Sequence, residues 1–113
     1  MPVLNKVLTD TKTATTGALA KTCAPGHAWE LLEVRFTTSG GALGAGNLTA
    51  VMDAGNGATY DCTLLSVDVS SLTYYHWQPT RPILFSEDDE LDFAWANVNN
   101  RTYGLEIVYR AIF

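Results

Sequence analysis

The sequence predicts an all-β protein, an antiparallel β-sandwich of about eight strands with an extended N-terminal arm. Three observations predict it. Apolar and polar residues alternate in short runs that recur roughly every 8 to 12 residues, the spacing of strands in a sandwich or barrel. No segment carries a helical period with caps at both ends. Bulky aromatics are plentiful, with three Trp, five Tyr and four Phe in 113 residues, and such side chains suit pleated, half-buried surfaces. A chain of this length with 47% hydrophobic residues fills one core unaided, so a single domain is expected.

Taken in order, residues 1–26 form the arm. Thr9, Thr11, Thr13 and Thr15 alternate there with Lys, Asp and Ala, and large apolar side chains are few after Leu8. Such a segment makes an edge strand or a docking segment whose partner is another surface. Ala24-Pro25-Gly26 breaks the chain before the sandwich domain, residues 27–113. From Ala28 to Thr38 the alternation places Leu32, Val34 and Phe36 on one face and Glu33 and Arg35 on the other. Ser39 to Gly46 is glycine-rich and is expected as a loop. Asn47 to Asp53 puts Leu48, Ala50 and Met52 on one face, and Asn56-Gly57 then signals a tight hairpin returning through Thr59 to Val67.

Leu72 to Trp77 is β-branched and aromatic, and Pro79 and Pro82 bracket a short crossing to Ile83-Leu84-Phe85. Prolines suit an edge or a corner where the chain changes sheets. Glu87-Asp88-Asp89-Glu90 turns into a strand with Leu91, Phe93 and Trp95 on one face. After a polar turn, Tyr103 to Phe113 alternates once more, Leu105, Ile107 and Tyr109 opposing Glu106, Val108 and Arg110. Seven strands in the body and one in the arm match the count of a jelly roll, two packed antiparallel sheets.

Charge is uneven. The arm holds Lys6, Lys12 and Lys21 against Asp10, two net positive charges, whereas the body holds four Arg against eleven acids, seven net negative. The body has the wrong sign for phosphate, which sets nucleic acid aside as a partner. No apolar run approaches the ~18 residues of a membrane helix, and the first residues lack the pattern of a signal peptide. Synthesis in a cytoplasm without membrane insertion is expected. Cys23 and Cys62 lack metal-ligand spacing and fall short of a disulfide framework. They read as reduced, mostly buried thiols, with a single bridge between them left open.

Candidate chemistry is sparse. His27 and His76 have no carboxylate, cysteine or second histidine at metal or dyad spacing. The acids from Glu87 to Glu90 sit on a turn and do not converge as calcium ligands would, and Asp53 to Gly57 lacks the acid spacing of a calcium loop. The glycines from Gly41 to Gly46 precede a strand, where a phosphate loop would precede a helix. No catalytic residue, cofactor or metal is expected, and the protein is not expected to be an enzyme. Two groups remain as candidates for contact: Lys6, Lys12 and Lys21, for docking on another surface or a neighbouring subunit, and Tyr74, Tyr75 and Trp77, as exposed aromatics. Tyr74 and Tyr75 must face opposite sides of a strand.

Several strand patterns together resemble small structural proteins of tailed bacteriophages: Ala28 to Phe36, Asn47 to Asp53, Tyr60 to Asp68, Glu90 to Asn97 and Thr102 to Ile107. The resemblance covers about residues 27–110. The chain departs from it at Ser86-Glu87-Asp88-Asp89-Glu90, where such proteins often carry a Gly-Asp turn. The resemblance implies a jelly-roll virion component, commonly oligomeric with a trimer favoured, whose partners are the major capsid protein or other virion proteins. It implies a capsid decoration protein first, and a head-spike or tail component otherwise, with no catalytic residue. A carbohydrate- or receptor-binding module, with Tyr74, Tyr75 or Trp77 stacking on sugar rings, is the expectation of a different class. The arm expectation carries its own test: deletion of residues 1–22 should leave a folded body that no longer attaches.

Overall fold

The computed structural model describes residues 6–39, 46–70 and 72–112. Alternation at period two becomes nine strands among these residues. They are β1 (Lys6–Ala14), β2 (Leu19–Cys23), β3 (Trp29–Thr38), β4 (Asn47–Asp53), β5 (Cys62–Asp68), β6 (Tyr74–Trp77), β7 (Ile83–Phe85), β8 (Glu90–Trp95) and β9 (Tyr103–Ala111). The one helical segment described is a 3₁₀ turn, Ala58–Tyr60. Most of the glycine-rich stretch expected as a loop lies outside the described residues.

The strands form two antiparallel sheets. One has the order β1-β9-β3-β6, with β7 also on β3, and the other has the order β2-β8-β4-β5. Partners nest from the outside in, with β1 on β9, β2 on β8, β3 on β6 and β7, and β4 on β5. The chain is thus one long hairpin rolled up on itself, the winding of a jelly roll. β6 and β7 take successive stretches of the same β3 edge, with Pro79 and Pro82 in the gap between them. Proline has no N–H for the ladder, so one strand position is split in two. Nine strands therefore occupy eight positions.

Residues 6–23 are not a free arm. β1 matches β9 over nine residue pairs from Lys6 opposite Ala111 to Ala14 opposite Tyr103, and β2 matches β8 from Leu19 to Cys23. The leader therefore supplies one edge strand to each sheet. Leu19 and Cys23 are fully buried in the common core, and Leu8 and Ala14 pack against it. Between the two edges, Lys21 Nζ meets an Asp10 oxygen at 3.0 Å and closes the open side of the sandwich.

The core joins both sheets: Trp29, Leu31, Val34, Phe36, Leu105, Ile107 and Tyr109 from one, Leu48, Ala50, Leu91, Phe93 and Trp95 from the other. Two expectations are corrected here. A register shift between Leu31 and Glu33 inserts an extra residue in β3. Trp29 and Leu31 therefore point inward before the shift, Val34 and Phe36 after it, and Leu32 lies outside the core. Such a bulge resets the phase of alternation. The β4–β5 connection is also longer than a two-residue hairpin. Gly57 N–H donates to the Ala54 carbonyl at 3.1 Å and the 3₁₀ turn follows. A type I′ turn needs positive φ at both central residues, and of Asn56 and Gly57 only Gly57 has it, at 117°.

Side chains of the acidic run serve this end of the fold. Asp89 accepts the N–H of Ser86 through one oxygen and that of Gly55 through the other, each at 2.9 Å. Gly55 presses so closely on the Asp88 backbone that a Cβ there would lie 2.8 Å from the Asp88 carbonyl oxygen. At the opposite end, Asn97 and Asn100 both adopt φ of 51°, a conformation Asn tolerates better than most residues. The buried Asn97 amide donates to the carbonyls of Gly17 (2.7 Å) and Arg101 (3.0 Å) and accepts the Arg101 N–H (2.8 Å). Thr16 donates to the Asn100 side chain at 2.8 Å. The β1–β2 and β8–β9 turns are thereby tied to each other.

The cysteines are unpaired, Cys23 buried and Cys62 exposed, so the expectation of two mostly buried thiols holds for Cys23 alone. Burial first, and the Asp10 carboxylate second, push the Cys23 thiol up to about 12. The thiolate is the reactive form. At about pH 8, a thiol reagent is expected to label one cysteine per native chain and both after unfolding. Rapid labelling of Cys23 in the native protein would contradict the buried environment. A group held above its unfolded value stabilises fully below that value and ceases to do so as pH rises through the folded one. The Cys23 contribution is therefore lost between about pH 9 and 12.

Candidate functional site

The outer face of the sheet that contains β1, β9, β3 and β6 carries an array of polar and aromatic groups. Cross-strand register lines them up in two adjacent rows. Thr11, Glu106, Arg35 and His76 form one, and Thr13, Gly104, Thr37 and Tyr74 form the next. Neighbouring strands lie ~4.8 Å apart, so each row reads straight across four strands. Alternation explains the array, because the same strands send Leu105, Ile107, Val34 and Phe36 to the core.

Arg35 is the hub of the first row. One guanidinium nitrogen donates to Glu106 at 3.0 Å and another to Glu33 at 2.8 Å. The second Glu33 oxygen meets His76 Nε2 at 2.8 Å. Side chains this exposed gain little stability from ion pairing. The consequence is geometric, since Arg35 is held between two carboxylates that leave some of its five N–H donors unused.

The second row has a gap. Gly104 lies mid-strand between Thr13 and Thr37 and has an ordinary negative φ, so its backbone does not require glycine. Glycine inside a strand weakens it and often marks close approach of another molecule. Here the missing side chain leaves the floor of an open groove of about 300 Å³, bounded by Thr11, Thr13, Thr37, Arg35, Glu106 and Tyr74. Tyr74 is 52% exposed, and its ring centroid lies 6.4 Å from that of His76.

Of the aromatics named from sequence, Tyr74 stands on this face. Tyr75 and Trp77 are half-buried and pack against the core from the inner side, so the three do not make a coplanar platform. The lysines are not brought together either. Lys6 and Lys12 are exposed on the β1 edge, about 20 Å apart at the rise of a strand, which exceeds the ~10 Å screening length at 0.1 M salt. Lys21 is on the other sheet and committed to Asp10. Sequence reasoning did not select Gly104, Thr37, Arg35 or Glu106. The signals present were a lone glycine inside an alternating strand and the run of alternate threonines in the leader.

Among the described residues, no group of three or more His, Cys, Asp or Glu side chains is placed to hold a metal ion. No helix there is long and apolar enough to cross a membrane. No protein-family profile matches the chain, and no curated protein matches it in sequence.

Proposed function

We propose that the protein is a structural component of a tailed-bacteriophage particle, a capsid decoration protein that binds the outside of the head as a homo-oligomer. The observation that carries this reading is the bare edge of β1. This strand is nine residues long and, among the described residues, pairs only with β9. A long unpaired edge invites pairing with another chain, and proteins that stay monomeric usually blunt or cover it. Adding a strand there satisfies backbone groups on both sides. Val7 on the same strand is 54% exposed and Leu84, at the far side of that sheet, 63%, which adds apolar area to that end. The resemblance of the strand patterns to those of small phage structural proteins supports the same reading, and with the leader built into the sandwich attachment falls to the folded surface.

Purified particles should contain the protein at a fixed copy number. Protein added to heads assembled without it should co-sediment and saturate, and the free protein should have the mass of a small oligomer, a trimer on this proposal. Particles that lack the protein, or heads that fail to retain it, would overturn the assignment.

A further inference from the structure

We infer that the groove over Gly104 is a binding site for a neutral saccharide. This holds irrespective of where the protein is located, so its failure and that of the virion assignment are separable. Three features of the groove converge on that ligand. Tyr74 presents an exposed ring at one wall, and a tyrosine ring combines an apolar face with a polar tip. Thr11, Thr13 and Thr37 line the groove, the Thr37 hydroxyl standing next to the Gly104 floor, and none of the three side chains hydrogen-bonds to another group among the described residues. A hydroxyl both donates and accepts, as the hydroxyls of a sugar require. Arg35 stands at the end of the groove, fixed by Glu33 and Glu106.

The charge balance selects among ligands. Arg35 is outnumbered by Glu33 and Glu106, so these three groups sum to one negative charge. A sulfated, phosphorylated or acidic sugar meets Glu106, and the one cation among the lining residues, Arg35, is already paired with two carboxylates. At about 300 Å³, the groove is at the small end of the ~300–1,000 Å³ usual for ligand sites, a size for a short glycan segment lying across the strands.

The test uses the full chain and three neutral trisaccharides, maltotriose, cellotriose and N,N′,N″-triacetylchitotriose, each with its sulfated form, titrated while backbone amide signals are followed by NMR. At least one neutral sugar should shift Thr13, Thr37 and Gly104 saturably, and its sulfated form should bind more weakly. Tyr74→Ala should weaken binding about tenfold. Gly104→Ala should weaken it by filling part of the floor, its Cβ meeting the Thr37 hydroxyl at 3.3 Å, with a cooperative thermal transition as the check that the variant is folded. Tyr74→Ala removes an exposed side chain and so provides a variant that does not depend on tolerance at position 104. No response to any neutral trisaccharide up to its solubility limit, tighter binding of a sulfated form, or binding that survives both substitutions would each overturn the inference.

Discussion

Deletion of residues 1–22 is expected to yield a chain that does not fold. The deletion removes β1 entirely and all of β2 except Cys23, so β9 and β8 each lose a partner along a full edge. Leu19 leaves the core with them, and a leucine-sized loss alone costs about 2–5 kcal/mol. The carbonyl of Gly17 and the hydroxyl of Thr16, which hold Asn97 and Asn100, go too. Added to two lost strand pairings, this exceeds the ~5–15 kcal/mol by which a domain of this kind is stable. Circular dichroism should show no cooperative thermal transition, and size exclusion should show an expanded or aggregated chain. A truncated protein that melts cooperatively like the full chain would restore the free-arm expectation.

Trp29→Ala should destabilise the protein by about 3–5 kcal/mol, the usual cost of truncating a large buried aromatic. Trp29 is fully buried. Its ring stacks on Phe85 at 4.1 Å between centroids and meets Tyr109 edge-on at 5.5 Å. The residue thus clamps β7 and β9 to β3, and β7 has only three residues with which to hold its own place. Trp29→Phe should cost roughly half as much. It keeps an aromatic on Phe85 and removes an indole N–H that finds no acceptor in its buried position, which offsets part of the lost packing. Urea unfolding of the three proteins gives both values. Equal losses for the two variants would show that ring shape alone governs the site.

The strands were largely legible in the sequence because alternation directly reports a sheet with one buried face. The phase of β3 was not. Within Leu31-Leu32-Glu33 two apolar residues adjoin, and the choice of inward leucine depends on the bulge against β9, a property of the pair. Likewise Asn56-Gly57 carries a hairpin signal that depends on two residues, while the observed connection is held by Asp89, more than thirty positions away. Of the two readings of the leader, edge strand or docking segment, the edge strand is the one the structure shows, and its composition did not decide between them for a related reason. Few apolar residues are needed at the rim of a sandwich, where Leu19, Cys23 and an Asp10–Lys21 pair suffice to close it. At the candidate site, Tyr74 was legible as an exposed aromatic, because its neighbour had to face the other way. The groove itself needs four strands in register, brought together from both ends and the middle of the chain, and no local pattern encodes that.

The nine-pair register of β1 on β9 gives the molecule a fixed polarity. Lys6 and Ala111 are direct neighbours at one pole, whereas Thr13 and Gly104 stand near the other, about 24 Å further along the strands. Lys6 and Ala111 therefore stand side by side, and the groove opens on the outer face of the same sheet towards the other end of the strands. A fused cargo, a surface tether or a second domain attached beside that pair leaves the Tyr74 pole unobstructed, so the same fold can be held at one end and present the other outward.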